Sequence, residues 1–363
     1  MNKVIIAGGG TGGHIFPALA IANELVRRNP DTEILFVGAK GKMEMEKIPQ
    51  AGYRIIGISI AGLQRGSIVK NLSLPLKLLK SYFEVKDIFR NFWPDAVIGV
   101  GGYSTFSVLS YALKKHIPTF IHESNSLAGK SNILLGKHAT EIFVAWDGMD
   151  RFFPAGKIVK TGNPVRKSIV QASIGHDDAV RSFGLDPNKK TVLVVGGSLG
   201  ARSINQAIQM HLSDFATLNI QLIWQTGKVQ SQQFKQNGQV FHNLWIGEFI
   251  QNMDAAYAAA DVVVSRAGAM SITEVCLARK AAIFVPYPHA AEDHQTVNAS
   301  YLANRHAALM VKDVQVQTQL FSALTDLLFD GKKIKTFEEN ISHVASPNAD
   351  ERIVDEILKY IKK

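Results

Sequence analysis

The sequence predicts an α/β protein built as two lobes, each a doubly wound parallel sheet. Three observations predict it. A run of β-branched residues that passes into glycines and then into a helical period opens the chain and recurs past its midpoint. The 363 residues exceed one typical core and suit two, since domains run to roughly 100–200 residues each. No stretch approaches the ~20 continuous apolar residues that a membrane-spanning helix needs.

The elements follow in chain order. Val4-Ile5-Ile6-Ala7 reads as a short buried strand that enters Gly8 to Gly13, so no cleaved leader is expected. Further strands are expected at Ile34 to Val37, Ala96 to Val100, Thr119 to His122 and Ile142 to Ala145, separated by helix-like segments. Thr161-Gly162-Asn163-Pro164-Val165-Arg166 carries the glycine, asparagine and proline of a turn and suits a hinge, which places the first domain at residues 1–163. The second domain, residues 164–345, opens its sheet with Thr191 to Val195 running into Gly196-Gly197-Ser198-Leu199-Gly200 and adds strands at Gln221 to Gln225, Val262 to Ser265 and Ala282 to Val285. Residues 346–363 read as a closing helix: Ile353, Ile357 and Ile361 repeat at helical spacing behind the start signal Ser346-Pro347-Asn348.

Cys276 is the only cysteine, set in an apolar helical stretch, which predicts a small buried hydrophobe in a reducing compartment. The net charge of +9 suits nucleic acid, phosphorylated metabolites or an anionic membrane. No zinc-ligand spacing, basic heptad region or aromatic RNA-binding signature supports nucleic acid. Between Arg65 and Trp93, Arg65, Lys70, Lys77, Lys80, Lys86 and Arg90 are interleaved with Leu72, Leu76, Leu79 and Phe83 at helical spacing. That pattern fits either a core helix with a solvated basic face or a patch that rests on anionic lipid.

Gly8 to Gly13 matches the dinucleotide pattern G-x-G-x-x-G, but that reading wants an acidic residue at the end of the second strand, where Val37-Gly38-Ala39-Lys40 has none. The general physics is anion binding: glycines bring amides close, and a helix lends its positive end. His14 closes the turn and serves either as a base beside a bound group or as a structural hydrogen-bonder. Gly99-Val100-Gly101-Gly102-Tyr103-Ser104 is a second turn of the same kind, suited to another anionic group such as a diphosphate. His122-Glu123-Ser124-Asn125-Ser126 clusters polar groups at a strand end, one of them a helix cap.

In the second lobe, Gly196 to Arg202 offers amides, a hydroxyl and a guanidinium to a departing diphosphate. Ser265 to Glu274 reads as strand, small-residue turn and helix start, with Glu274 either a ribose acceptor or an ordinary first-turn carboxylate. His289, Glu292, Asp293 and His294 match no metal-ligand spacing, so no resident metal or other cofactor is expected.

Taken in order, Gly9 to His14, Gly101 to Ser104, His122-Glu123, Gly162 to Arg166, Gly196 to Ser198 with Gly200 to Arg202, Gln225 to Lys228 and Ala269 to Glu274 resemble the MurG family of peptidoglycan glycosyltransferases over nearly the whole chain. The resemblance implies the glycosyltransferase B fold, two Rossmann-like lobes about a cleft. It implies inverting transfer of N-acetylglucosamine from UDP-N-acetylglucosamine to the 4-hydroxyl of a lipid-linked muramyl pentapeptide. By the same carry-over, Thr11, Gly12, Gly13, Asn125, Arg166, Ser198, Ile250, Ala269, Met270, Ser271, Ile272, Thr273, Glu274 and Gln295 contact the donor. The acceptor diphosphate falls to Gly10, Thr11, Gly101, Gly102, Tyr103 and Ser104. His14 is the expected base, with Glu123 in reserve. The chain departs from the family at Ser124 and Leu199, where glutamine is frequent. The expected partners are the two substrates and an anionic membrane surface, and the expected place is peripheral, on the cytoplasmic face of the membrane. A UDP-sugar epimerase of the same fold and a non-catalytic nucleotide-sugar sensor are the alternatives.

Overall fold

Both glycine-led repeats fold as parallel sheets. The computed structural model describes residues 2–60, 74–165, 169, 174–197, 199–228, 231–238 and 241–361. The chain divides into two units, Met1–Arg166 with Asn348–Lys363, and Lys167–Pro347. The division falls at the end of the expected hinge, three residues beyond the expected boundary at 163, and the closing segment joins the first unit.

Among the described residues, the first sheet has the order β3-β2-β1-β4-β5-β6-β7, all parallel, with β1 Lys3–Ala7, β2 Glu33–Ala39, β3 Arg54–Ile58, β4 Ala96–Gly99, β5 Thr119–Glu123, β6 Glu141–Val144 and β7 Ile158–Lys160. The second has the order β10-β9-β8-β11-β12-β13, with β8 Thr191–Val195, β9 Gln221–Gln225, β10 Leu244–Gly247, β11 Val262–Ser265, β12 Ala281–Phe284 and β13 Leu309–Met310. In each sheet the order reverses at one place, between β1 and β4 and between β8 and β11. Ligands of open α/β sheets bind outside the carboxyl ends of the strands at such a switch point. The glycine turns after β1, β4, β8 and β11 all lie there.

The central strands are buried on both faces, as parallel sheets covered by helices must be. The helix Ala349–Leu358 completes the first core: Ile353, Val354 and Ile357, with Ile361 just beyond, pack with Ile21 and Leu25 of the helix Gly12–Arg28. An ion pair between Arg28 and Asp355 at 3.1 Å crosses the same seam and, being exposed, adds little.

Candidate active site

The first unit gathers two glycine turns, one histidine and one carboxylate at its switch point. β1 leads through Gly8-Gly9-Gly10-Thr11 into the helix Gly12–Arg28, and β4 leads through Val100, Gly101 and Gly102 into the helix Tyr103–Lys114. The turns interlock. The Gly9 amide donates to the Gly101 carbonyl at 3.2 Å, and a Cβ on Gly102 would stand 2.4 Å from the Gly9 oxygen. Glycine at 102 is therefore required by close backbone approach, not only by its φ of +93°.

The first three amides of the opening glycine turn are already engaged, Gly9 as above. Gly8 donates to the Val37 carbonyl, and Gly10 donates to Glu44 Oε2 at 2.7 Å. This corrects the expectation for Gly10, whose amide is unavailable to a diphosphate. Among the described residues, the amides of Thr11, Gly12 and Gly13 meet no backbone acceptor, so the anion-binding capacity lies at the helix start. Tyr103 is half exposed, and Ser104 Oγ is buried with no hydrogen-bond partner.

Glu44 escaped the sequence reading. It lies in the first turn of the helix Glu44–Gln50, is 1% exposed, and also accepts from the Ala39 amide at 2.9 Å. The signal was a carboxylate a few residues past the strand that pairs with β1. It occupies the place where a dinucleotide site would hold a ribose, but its oxygens are spent on the backbone. His14, half-buried, places Nδ1 2.9 Å from the Gly9 carbonyl. A carbonyl only accepts, so Nδ1 carries a proton, and in the neutral ring Nε2 holds the lone pair. Nε2 lies against Gly101, where a Cβ would come within 2.7 Å of it.

At the end of β5, His122 is fully buried, and its Nε2 makes no hydrogen bond of normal geometry. Burial pushes it down to about 4, and the nearby His14 adds to this, against smaller opposing effects of the Gly162 backbone and the Asn163 side chain. Glu123 is 4% exposed and saturated: Oε1 accepts from the Asn125 amide at 3.0 Å, and Oε2 from the Gly129 amide at 3.0 Å and Asn132 Nδ2 at 2.9 Å. It ties down the loop before the helix Lys130–Gly136. This corrects its place as reserve base, since neither oxygen faces an incoming proton. Half-buried Asn125 is held by the same carboxylate.

In the second unit, the turn after β8 packs on the strand end of β9. A Cβ on Gly200 would stand 2.1 Å from the Thr226 oxygen, and Gln225 Nε2 donates to the Gly197 carbonyl. Arg202 opens the next helix and is exposed. Gln225 Oε1 takes the Ile250 amide at 2.9 Å, leaving only the Ile250 carbonyl for a ligand.

The helix Ala269–Leu277 begins directly after the β11 turn, and the amides of Ala269, Met270 and Ser271 meet no backbone acceptor among the described residues. Ser271 and Glu274 are half-buried on one face, with Tyr257 donating to Glu274 Oε2 at 3.2 Å. Ile272 is fully buried, and Thr273 bonds back to the Ala269 carbonyl. Both side chains belong to the core, which corrects their expected donor contact. Gln295 accepts from the Tyr287 amide. Arg266 anchors the same edge by donating to Asp313 at 2.5 Å and to Ser203 Oγ at 3.0 Å.

Arg166 and Ser198 lie outside the described residues, as do Arg65, Lys70 and Leu72 and the side chains of Leu76 and Lys77. On the helix Leu74–Asn91, Leu79 and Phe83 are more than half exposed, beside exposed Tyr82, Lys80, Lys86 and Arg90. Among the described residues no helix is long and apolar enough to cross a membrane, and no group of His, Cys, Asp and Glu could hold a metal ion. Cys276 is buried, which pushes its thiol up to about 12.

Known proteins match this arrangement throughout. Residues 4–144 match the glycosyltransferase family 28 N-terminal domain and residues 191–353 its C-terminal domain. A UDP-N-acetylglucosamine–N-acetylmuramyl-(pentapeptide) pyrophosphoryl-undecaprenol N-acetylglucosamine transferase of Bacteroides fragilis is 48% identical over 98% of this chain and 95% of its own. The chain belongs to the MurG family. A relative of the same description from Parabacteroides distasonis is 46% identical over 99% of both chains. The crystal structure of Acinetobacter baumannii MurG is 31% identical, with a TM-score of 0.78 over 99% of this chain and 100% of that one. A UDP-GlcNAc 2-epimerase from Neisseria meningitidis, 14% identical with a TM-score of 0.66 over 99% of this chain and 100% of its own, shares the fold alone. The chain is thus a glycosyltransferase made of two Rossmann-like units, as in the glycosyltransferase B fold.

Proposed function

We propose that the chain moves N-acetylglucosamine from UDP-N-acetylglucosamine to the 4-hydroxyl of an undecaprenyl-diphospho-N-acetylmuramyl-pentapeptide, with inversion, converting lipid I to lipid II. The observation that carries this reading is the 48% identity over nearly the full length to a transferase of that description.

In one displacement, His14 Nε2 takes the proton of the acceptor hydroxyl, the oxygen bonds to the anomeric carbon, and the bond from that carbon to the diphosphate breaks. The first unit supplies the base and holds the acceptor diphosphate at the Thr11 amide and at the helix start beyond Gly102, and the open amides of Gly12 and Gly13 are kept for the donor. The second unit takes the donor at the helix start Ala269–Ser271, with Glu274, Gln295 and the Ile250 carbonyl on the nucleoside and sugar; Ser198 is also assigned to the donor, as is Arg166 at the end of the first unit. A positioned base contributes about 10²–10⁴-fold.

Exposed Leu79, Tyr82 and Phe83, with exposed Lys80, Lys86 and Arg90 on the same helix, support a peripheral seat on the anionic, cytoplasmic face of the membrane. Loss of vesicle binding in Leu79→Ser/Phe83→Ser on anionic but not zwitterionic lipid tests it. The test of the reaction is incubation with the donor and a short-chain lipid-linked muramyl peptide. A disaccharide product is expected. Conversion of the donor alone to another sugar would instead support an epimerase. His14→Ala should keep donor binding and lose turnover, and unchanged turnover would remove His14 as the base.

A further inference from the structure

We infer that Glu44 is a positioning residue for His14, acting through the single peptide group that joins Gly9 to Gly10. The inference rests on His14 being the base.

The two hydrogen bonds that define it belong to opposite ends of one rigid amide. The Gly10 N–H donates to Glu44 Oε2 at 2.7 Å, and the Gly9 carbonyl of that same peptide accepts from His14 Nδ1 at 2.9 Å. The order is therefore carboxylate, N–H, C=O, H–Nδ1. Each bond polarises the next in the same sense, as hydrogen bonds in a chain do. A carboxylate bonded directly to Nδ1 orients many catalytic and metal-binding histidines. Here a peptide stands between the two.

The arrangement is built in. Glu44 is 1% exposed, and its other oxygen is fixed by the Ala39 amide at 2.9 Å. A Cβ on Gly9 would stand 2.3 Å from the Glu44 carboxyl carbon, and one on Gly38 would stand 2.5 Å from its Cγ. Glycine at 9 and 38 leaves the room that this carboxylate fills. On the far side, Nε2 lies against the Gly101 turn. Titratable side chains that bear on the His14 ring include Glu44 through the peptide and His122 from the end of β5, which its burial keeps neutral. As Nε2 takes a proton, Glu44 is the charge that stabilises the imidazolium. The carboxylate itself exchanges no proton.

Glu44→Gln keeps the shape and removes the charge, and its one accepting oxygen can serve only one of the Gly10 and Ala39 amides. Its kcat should fall about 10–100-fold, with the donor KM within about two-fold. The acid limb of the pH–rate profile should move toward lower pH, and Glu44→Asp should recover part of the rate. Unchanged kcat and acid limb in folded Glu44→Gln would overturn the inference. A purely structural role would lower the unfolding midpoint and leave the pH profile in place. The ¹⁵N spectrum of histidine-labelled protein reads the same claim without turnover. The unaltered protein should show His14 protonated at Nδ1, and Glu44→Gln should shift that resonance. An Nε2–H tautomer in the unaltered protein would overturn the inference even if neither variant folds. Retained turnover in His14→Ala would instead remove the base reading, and the ¹⁵N shift would then decide the positioning alone.

Discussion

Acid should weaken the first unit through one buried ring. His122 has an ordinary value of 6.5 and is pushed down to about 4 in the folded chain, where it is fully buried. Above pH 6.5 it is neutral folded or unfolded and contributes no pH dependence. Below 6.5 the unfolded chain takes a proton that the folded chain refuses until about pH 4, so stability falls as pH falls across that window. At about 1.4 kcal/mol per unit, the whole window is worth about 3 kcal/mol, and the interval from pH 7 to pH 5 about 2 kcal/mol. Urea unfolding at both pH values, in the unaltered protein and in His122→Gln, isolates this amount. The glutamine variant should lose about 2 kcal/mol less over the interval, whatever its stability at pH 7. Tryptophan fluorescence suits the measurement because the buried Trp146 indole donates to the Ser124 carbonyl, two residues from His122. Equal losses in the two proteins would refute the reasoning.

Three further outcomes are expected. Glu123→Ala strands the Asn125 and Gly129 amides and the Asn132 side chain, and should lower stability by about 3 kcal/mol in denaturant melts, whereas folded Glu123→Gln should keep turnover within a few-fold. Gly102→Ala, forced against the Gly9 oxygen, should abolish activity or folding; Gly156→Ala meets nothing within 4 Å, has no positive φ, and should shift the melting midpoint only slightly. The Cys276 thiol should not react with a thiol reagent until denaturant is added, as expected of a buried group pushed up to about 12.

The strands legible in the sequence are the central ones. Val4 to Ala7, Thr191 to Val195 and Val262 to Ser265 are buried on both faces and read as unbroken apolar runs. The strands that went unread, β3, β7, β10 and β13, are the four sheet edges. Arg54–Ile58 alternates exposed and part-buried residues, and Ile158–Lys160 ends on an exposed lysine. Half-covered edges need neither a long apolar run nor a fixed length. In the site, the glycine turns and His14 were legible because turn chemistry is local. Which amides remain open was not. That is decided by Glu44 reaching Gly10 across 34 positions and by Gly101 meeting Gly9 across 92. Glu123 looked catalytic for the same reason, since only the fold shows both its oxygens occupied.

The helix Ala349–Leu358 gives the chain an order of assembly that runs against its order of synthesis. The first unit's core lacks Ile353, Val354 and Ile357 until synthesis has passed all of Lys167–Pro347, which can close its own core earlier. Until then, Ile21 and Leu25 await their cover. A nascent chain is thus most exposed to chaperones and proteases in its first unit, and deleting residues 349–363 should damage that unit rather than Lys167–Pro347 just upstream.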